Sequence, residues 1–166
     1  MTPSGRATLT IAQSAVVALA LQLMTLFQER EVLPPPIAAV FLVVIFGGYI
    51  LTCLMILNSE KTPFAHAGLF LTVSLPLLAS LLTGFAIIYK HTGLIGPDCE
   101  KFDLSWSALY FSIITWTTVG YGDFRPTPAS RPYAALEAIA GLIFMGLFIA
   151  TLAHIGNTAS RGKSTR

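Results

Sequence analysis

The sequence predicts an all-α membrane protein with four membrane-spanning helices and one short helix that enters the membrane and leaves by the same side. Three observations carry this. Of 166 residues, 54% are hydrophobic and only 11% charged, whereas a soluble domain carries roughly a quarter charged residues. Four apolar stretches are each long enough to cross about 30 Å of hydrocarbon as a helix, and short polar links rich in proline and glycine separate them. A further apolar stretch between the third and fourth is too short to cross, and it runs straight into a glycine-alternating loop.

The first span is Ala7 to Phe27, apolar except for Gln13, Ser14, Gln22 and Thr25. A rival reading is a secretory signal, with Arg6 before the apolar core and Ala18-Leu19-Ala20 as a cleavage site. Gln13 and Gln22 either hydrogen-bond across a helix interface or are polar residues tolerated near the membrane surface. Gln28 to Pro36 is a charged turn whose three prolines stop one helix and hold an extended link before the next. Ile37 to Leu57 is the second span and holds no charge. Cys53 lies within it and reads as a small buried hydrophobe.

Asn58 to Ala65 is a polar loop, and His66 stands at the start of the third span, where a surface role outweighs a pH-sensing one. That span covers roughly Ala67 to Tyr89, with Pro76 expected to kink it and Ser74 able to satisfy freed backbone groups. Lys90 to Asp103 is a polar loop, in which Cys99 is either a free thiol or an intersubunit bridge, the free thiol being preferred. Asp103 or Ser105 can cap a short helix over Leu104 to Trp116. At about 20 Å that helix cannot span, so it is read as re-entrant, its negative dipole end aimed at the loop that follows. Phe124 to Pro132 returns to the surface, Tyr133 to Ile155 is the last span, and Gly156 to Arg166 is a short basic tail expected to be disordered.

The loop Thr117-Thr118-Val119-Gly120-Tyr121-Gly122-Asp123 carries the chemistry. Gly120 and Gly122 reach backbone conformations closed to residues with a Cβ. Alternating them with Thr118, Val119 and Tyr121 lets successive carbonyls turn the same way. The stretch resembles the selectivity filter of tetrameric potassium channels, and the match extends through Ser112, Thr115, Asp123 and Pro126. The resemblance implies that carbonyls of Thr118, Val119, Gly120, Tyr121 and Gly122 replace the water shell of K+, the ion bound at the filter. It implies support of the filter by Thr115, Trp116, Thr117 and Asp123, with Tyr110, Phe111 and Trp116 as a packing cuff. Trp116 is bulkier than the residue some relatives carry there, and Ile114 replaces an acid found in others, which leaves the bracing of the filter open.

By the same resemblance Gly141 and Gly146 fall at the hinge and close-packing glycines of the inner helix, although glycine is common in membrane helices anyway. Leu142, Met145, Ile149, Ala150 and Ala153 would face the conduction cavity. Glu137 is an acid one turn before Gly141; a brace to the pore helix is preferred over a pH-sensing role. Lysine and arginine divide evenly, with Arg6, Lys61, Arg161, Lys163 and Arg166 against Arg30, Lys90, Lys101, Arg125 and Arg131. The positive-inside rule therefore decides nothing, and the resemblance supplies the orientation, both termini in the cytoplasm.

The domain organisation expected is an N-terminal transmembrane hairpin of unknown role at 1–66, a pore module at 67–157 and a cytoplasmic tail at 158–166. The filter needs four copies, so the partner expected is the chain itself, as a homotetramer in lipid. The net charge of +2 gives no nucleic-acid surface. No Ser/His/Asp grouping, phosphate loop or metal-ligand spacing points to an enzyme, and no cofactor is expected beyond the permeant K+. The function expected is passive, selective K+ conduction in a bacterial plasma membrane. Its rivals are a non-conducting modulatory subunit, a subunit of a potassium transporter and, closer in kind, a nonselective cation channel.

Overall fold

The computed structural model describes residues 34–58, 65–97 and 104–164. Helix α1 is Pro35–Leu57, α2 is Ala65–Thr92, α3 is Leu104–Trp116 and α4 is Arg131–Ser164. Two two-residue strands, β1 (Leu94–Ile95) and β2 (Arg125–Pro126), pair antiparallel between α2 and the end of the loop. Among the described residues three stretches are long and apolar enough to cross a membrane: Pro35–Leu57, Phe70–Thr92 and Arg131–Thr158. The first predicted span, with Gln13 and Gln22, lies outside the described residues, as do Cys99 and Asp103. The protein is an integral membrane protein.

Each helix starts and stops for a local reason. Pro34 is extended at φ −58°, ψ 139°, and prolines occupy the first two positions of α1, where a missing N–H leaves no helical bond unmade. The extended link expected through Pro36 therefore ends at Pro34. Helix α2 runs through Pro76 without ending. Ser80 donates to the Pro76 carbonyl at 2.8 Å. Ser74 does not play the part expected of it: its buried hydroxyl makes no hydrogen bond of good geometry and faces the Tyr49 phenol on α1 instead. Ser105 is not a cap, because α3 starts at Leu104 and Ser105 is already helical. The tail expected to be disordered is helical, α4 continuing through Ser164. Thr158 donates to the His154 carbonyl and Ser160 to that of Asn157, and each added residue extends a helix already nucleated in the membrane.

Contacts fix the directions of the helices. Going down α1, Tyr49 meets Phe144 of α4 and then Cys53 meets Thr151, so α1 and α4 run the same way. Phe70 of α2 meets Phe148, whereas Tyr89 meets Glu137, so α2 runs against both. Helix α3 lies between α2 and α4 and packs against each.

A ladder of aromatic rings runs through the core. Tyr49 stacks on Phe144 with centroids 4.7 Å apart, Phe144 on Phe148 at 5.9 Å, and Phe148 on Phe70 at 5.5 Å. Trp116 meets this ladder edge-on, 5.7 Å from Phe144. Nearer the other end, Tyr89 sets its ring edge-to-face against Phe111 at 4.9 Å. Offset-stacked and edge-to-face pairs are the favoured arrangements for ring quadrupoles. Helix α1 buries one stripe, Ala38, Leu42, Tyr49 and Cys53, and turns Val40, Phe41, Val44 and Leu51 outward. An apolar outward face is the composition lipid requires. Cys53 is buried and free, in keeping with its reading as a small hydrophobe.

Candidate functional site: the loop after the short helix

The site begins where α3 ends. The amide of Thr117 donates to the Ile113 carbonyl at 3.0 Å, Thr118 to Thr115 at 3.1 Å, Val119 to Ile114 at 2.9 Å and Gly120 to Ile114 at 3.3 Å. A helix end leaves its last carbonyls without partners; here the first amides of the loop fold back to fill them. Those amides are committed to the helix, and the loop carbonyls are left for other work.

Backbone torsions then set where the carbonyls go. Thr118, Gly120 and Gly122 have φ of +58°, +52° and +81°. Val119 and Tyr121, between them, do not share the left-handed region. This alternation turns every second peptide over, so that carbonyls which would point to opposite sides of a strand point to one side. An added Cβ at Gly120 or Gly122 would meet nothing within 4 Å. Backbone conformation, not crowding, is therefore what requires glycine there. Residues Thr117 to Asp123 are exposed along their whole length in the single chain, with Tyr121 72% exposed.

The support residues fall around this loop in different ways. Trp116 is buried between Phe46 of α1 and Phe144 of α4. Thr117 donates its hydroxyl to the Ile113 carbonyl at 2.7 Å, and Thr115 lies half-buried in the last turn of α3. Asp123 receives the Tyr110 hydroxyl at 2.8 Å and the Phe124 amide at 3.0 Å. The Tyr110 phenol is held above its ordinary pKa by that bond to the Asp123 carboxylate. Arg125 donates Nε to the Gly122 carbonyl at 3.4 Å. The sequence suggests only a packing role for Tyr110; its part as a strap across thirteen positions of sequence carries no local signal.

A second tie has no signature in the sequence at all. Thr127 donates to the Thr92 carbonyl at 2.8 Å, and Ser130 lies 2.7 Å from the Thr92 hydroxyl and 2.5 Å from the Gly93 carbonyl. With the β1–β2 pair, Leu94 against Pro126 and Ile95 against Arg125, it fastens the end of α2 to the exit of the loop.

On α4, Glu137 is fully buried. The Tyr89 hydroxyl donates to one carboxyl oxygen, and Ser112 Oγ lies 2.5 Å from the other. The acid thus touches α2 and α3 from α4. A Cβ at Gly141 would run into the Trp116 carbonyl oxygen, so this glycine lets α4 lie against the end of α3. At Gly146 an added Cβ would meet nothing within 4 Å, and α4 is helical through both glycines. Leu142, Met145, Ile149, Ala150 and Ala153 are exposed on α4.

Residues 76–156 match the ion channel family model. That stretch runs from the middle of α2 through α3 and the loop to Gly156 of α4. It covers just under half of the chain, and its likeness is to ion channels. The chain is similar to potassium channel K1 of Plasmodium berghei, 27% identical over 99 residues, and to two pore potassium channel b of rice (Oryza sativa subsp. japonica), 35% identical over 97. Each alignment covers 56% of this chain, but only 5% of the Plasmodium protein and 27% of the rice protein. No solved structure matches. Helix α1 lies outside the family match and still reaches the matched stretch, Phe46 meeting Trp116 and Tyr49 meeting Phe144.

Proposed function

We propose that this chain is the subunit of a potassium-selective channel that conducts K+ passively through a cage of backbone carbonyls. One observation carries the reading: the alternation of left-handed φ at Thr118, Gly120 and Gly122, on a loop whose first amides are already bound to α3. Such a loop offers oxygens of Thr118, Val119, Gly120, Tyr121 and Gly122 in a row, with no side chain needed on that side. A desolvated K+ requires several such oxygens at once, and replacing its water shell is what carbonyl rings do.

One loop exposes one column, so the cage needs copies around an axis, and a closed ring of four identical subunits is the arrangement we assign. Thr115, Trp116, Thr117 and Asp123 support the column from α3 and from Tyr110. Below it, Leu142, Met145, Ile149, Ala150 and Ala153 line the cavity on α4. Gly141 serves close approach to the filter base in this reading, because it abuts the Trp116 carbonyl; Gly146, with open space around it, remains the candidate hinge.

Liposomes holding only the purified chain test the proposal. The expected result is K+ efflux that barium blocks and that sodium does not replace. Purified chain that assembles in the membrane and passes no K+ would favour a modulatory subunit and overturn conduction.

A further inference from the structure

The three contacts that Glu137 and Ser112 make need more protons than their hydroxyls hold. Ser112 Oγ lies 2.5 Å from Glu137 Oε1 and also 2.9 Å from the carbonyl oxygen of Leu82 on α2. The Tyr89 hydroxyl is committed to Glu137 Oε2. A serine hydroxyl donates one hydrogen, and a backbone carbonyl only accepts. Ser112 can therefore donate to Leu82 or to an ionised Glu137, but not to both. If the carboxyl is ionised, two oxygens face each other at hydrogen-bond distance with no hydrogen between them, in a buried site.

We propose that Glu137 is a proton-binding site, holding a neutral carboxylic acid that donates to Ser112. One proton then completes the chain: Tyr89 O–H to Glu137 Oε2, Glu137 Oε1–H to Ser112 Oγ, and Ser112 O–H to the Leu82 carbonyl. Every donor has one acceptor, and α2, α3 and α4 are joined beside the base of the filter. Burial agrees with this assignment, since Glu137 is fully buried and Ser112 likewise, and an unpaired charge there would be strongly destabilising. Among the described residues the titratable group facing the acid is Tyr89 from α2; α3 presents Ser112, and no lysine, arginine or histidine faces it. The proton is therefore the charge compensation. Removing it at high pH breaks the bond to Ser112 and places a negative charge behind the pore helix, so the assembly weakens as pH rises.

Infrared spectroscopy of the lipid-reconstituted chain, with and without 13C-labelled glutamate, reads this directly and does not depend on which ion passes the filter. The expected spectrum at neutral pH contains a protonated carboxyl band from one of the five glutamates per chain, moved by the label and lost at high pH. Glu137→Gln should remove the band. Its amide donates to Ser112 and accepts from Tyr89 as the acid does, so the variant should assemble with a thermal stability that no longer falls at high pH. A wild-type spectrum with every glutamate ionised at neutral pH would overturn the proposal, whether or not the variant assembles. So would a band that survives Glu137→Gln, or an alkaline loss of stability unchanged by it.

Discussion

Thr118 sits at φ +58°, a region where a β-branched residue is strained by about 1–3 kcal/mol. Its neighbours Gly120 and Gly122 share the sign of φ without that strain. Among the described residues Thr118 is the one non-glycine with positive φ, as expected if its carbonyl and hydroxyl both have to face the ion path. Gly122→Ala should impose the same kind of penalty at φ +81°, where an added Cβ meets nothing but the backbone is wrong for it. A penalty of ~1–3 kcal/mol is roughly five- to 150-fold in an equilibrium constant. The preference for K+ over Na+ in flux assays should fall by that order, and an alanine variant with unchanged preference would remove the backbone argument. Gly141→Ala is a different case, since its Cβ runs into the Trp116 carbonyl oxygen. Overpacking of that kind typically costs ~1–3 kcal/mol, so the assembled protein should melt lower while the loop sequence stays intact. A Gly141→Ala variant with unaltered thermal stability would mean that α4 does not lie against α3.

Among the elements, α3 is the most legible in the sequence. Its bounds, Leu104 to Trp116, follow from a short apolar run that ends on a glycine-alternating loop. The ends of α2 and α4 are less so: the sequence shows where apolarity stops, not where hydrogen bonding does. Helix α2 runs on to Thr92 and α4 to Ser164, past polar residues that read as loop and tail. Partners across helices are not legible at all. Nothing local says that Tyr110 will reach Asp123, that Ser130 will reach Thr92, or that Tyr49 will stack on Phe144. Those pairings depend on the rotation of one helix against another. Tyr49 is the clearest link from α1 to α2 and α4, buried to 5% exposure among Phe46, Phe70 and Phe144. Truncating a buried aromatic typically costs ~3–5 kcal/mol. Tyr49→Ala should therefore lower the thermal stability of the whole protein markedly, whereas Val44→Ala on the outward face should change it little. Equal effects of the two would mean that α1 is not docked by its buried stripe.

For the whole molecule, the consequence concerns voltage. Moving one elementary charge through 100 mV is worth about 2.3 kcal/mol, so steep gating needs several charges that cross the field. Within the interiors of the three described spans Glu137 is the ionisable side chain of acidic or basic type, and Lys90, His91, Arg131 and His154 lie toward helix ends. With a proton on Glu137, even that position is neutral. Open probability should depend weakly on voltage in symmetric K+. A tenfold change over about 25 mV would require at least two to three gating charges by the same arithmetic, and finding it would reveal a sensor elsewhere in the chain.

If the backbone carbonyls of the Thr118–Gly122 loop select K+, as proposed, the K+ gradient sets the voltage at which current reverses. The most direct measurement is the reversal potential of current through the purified chain in a planar bilayer, with K+ on one side and Na+ on the other. The expected reversal lies close to the K+ equilibrium potential in the wild type and shifts toward zero in Gly122→Ala. A wild-type current that reverses near zero under the same gradient would rule out selection of K+ by these carbonyls.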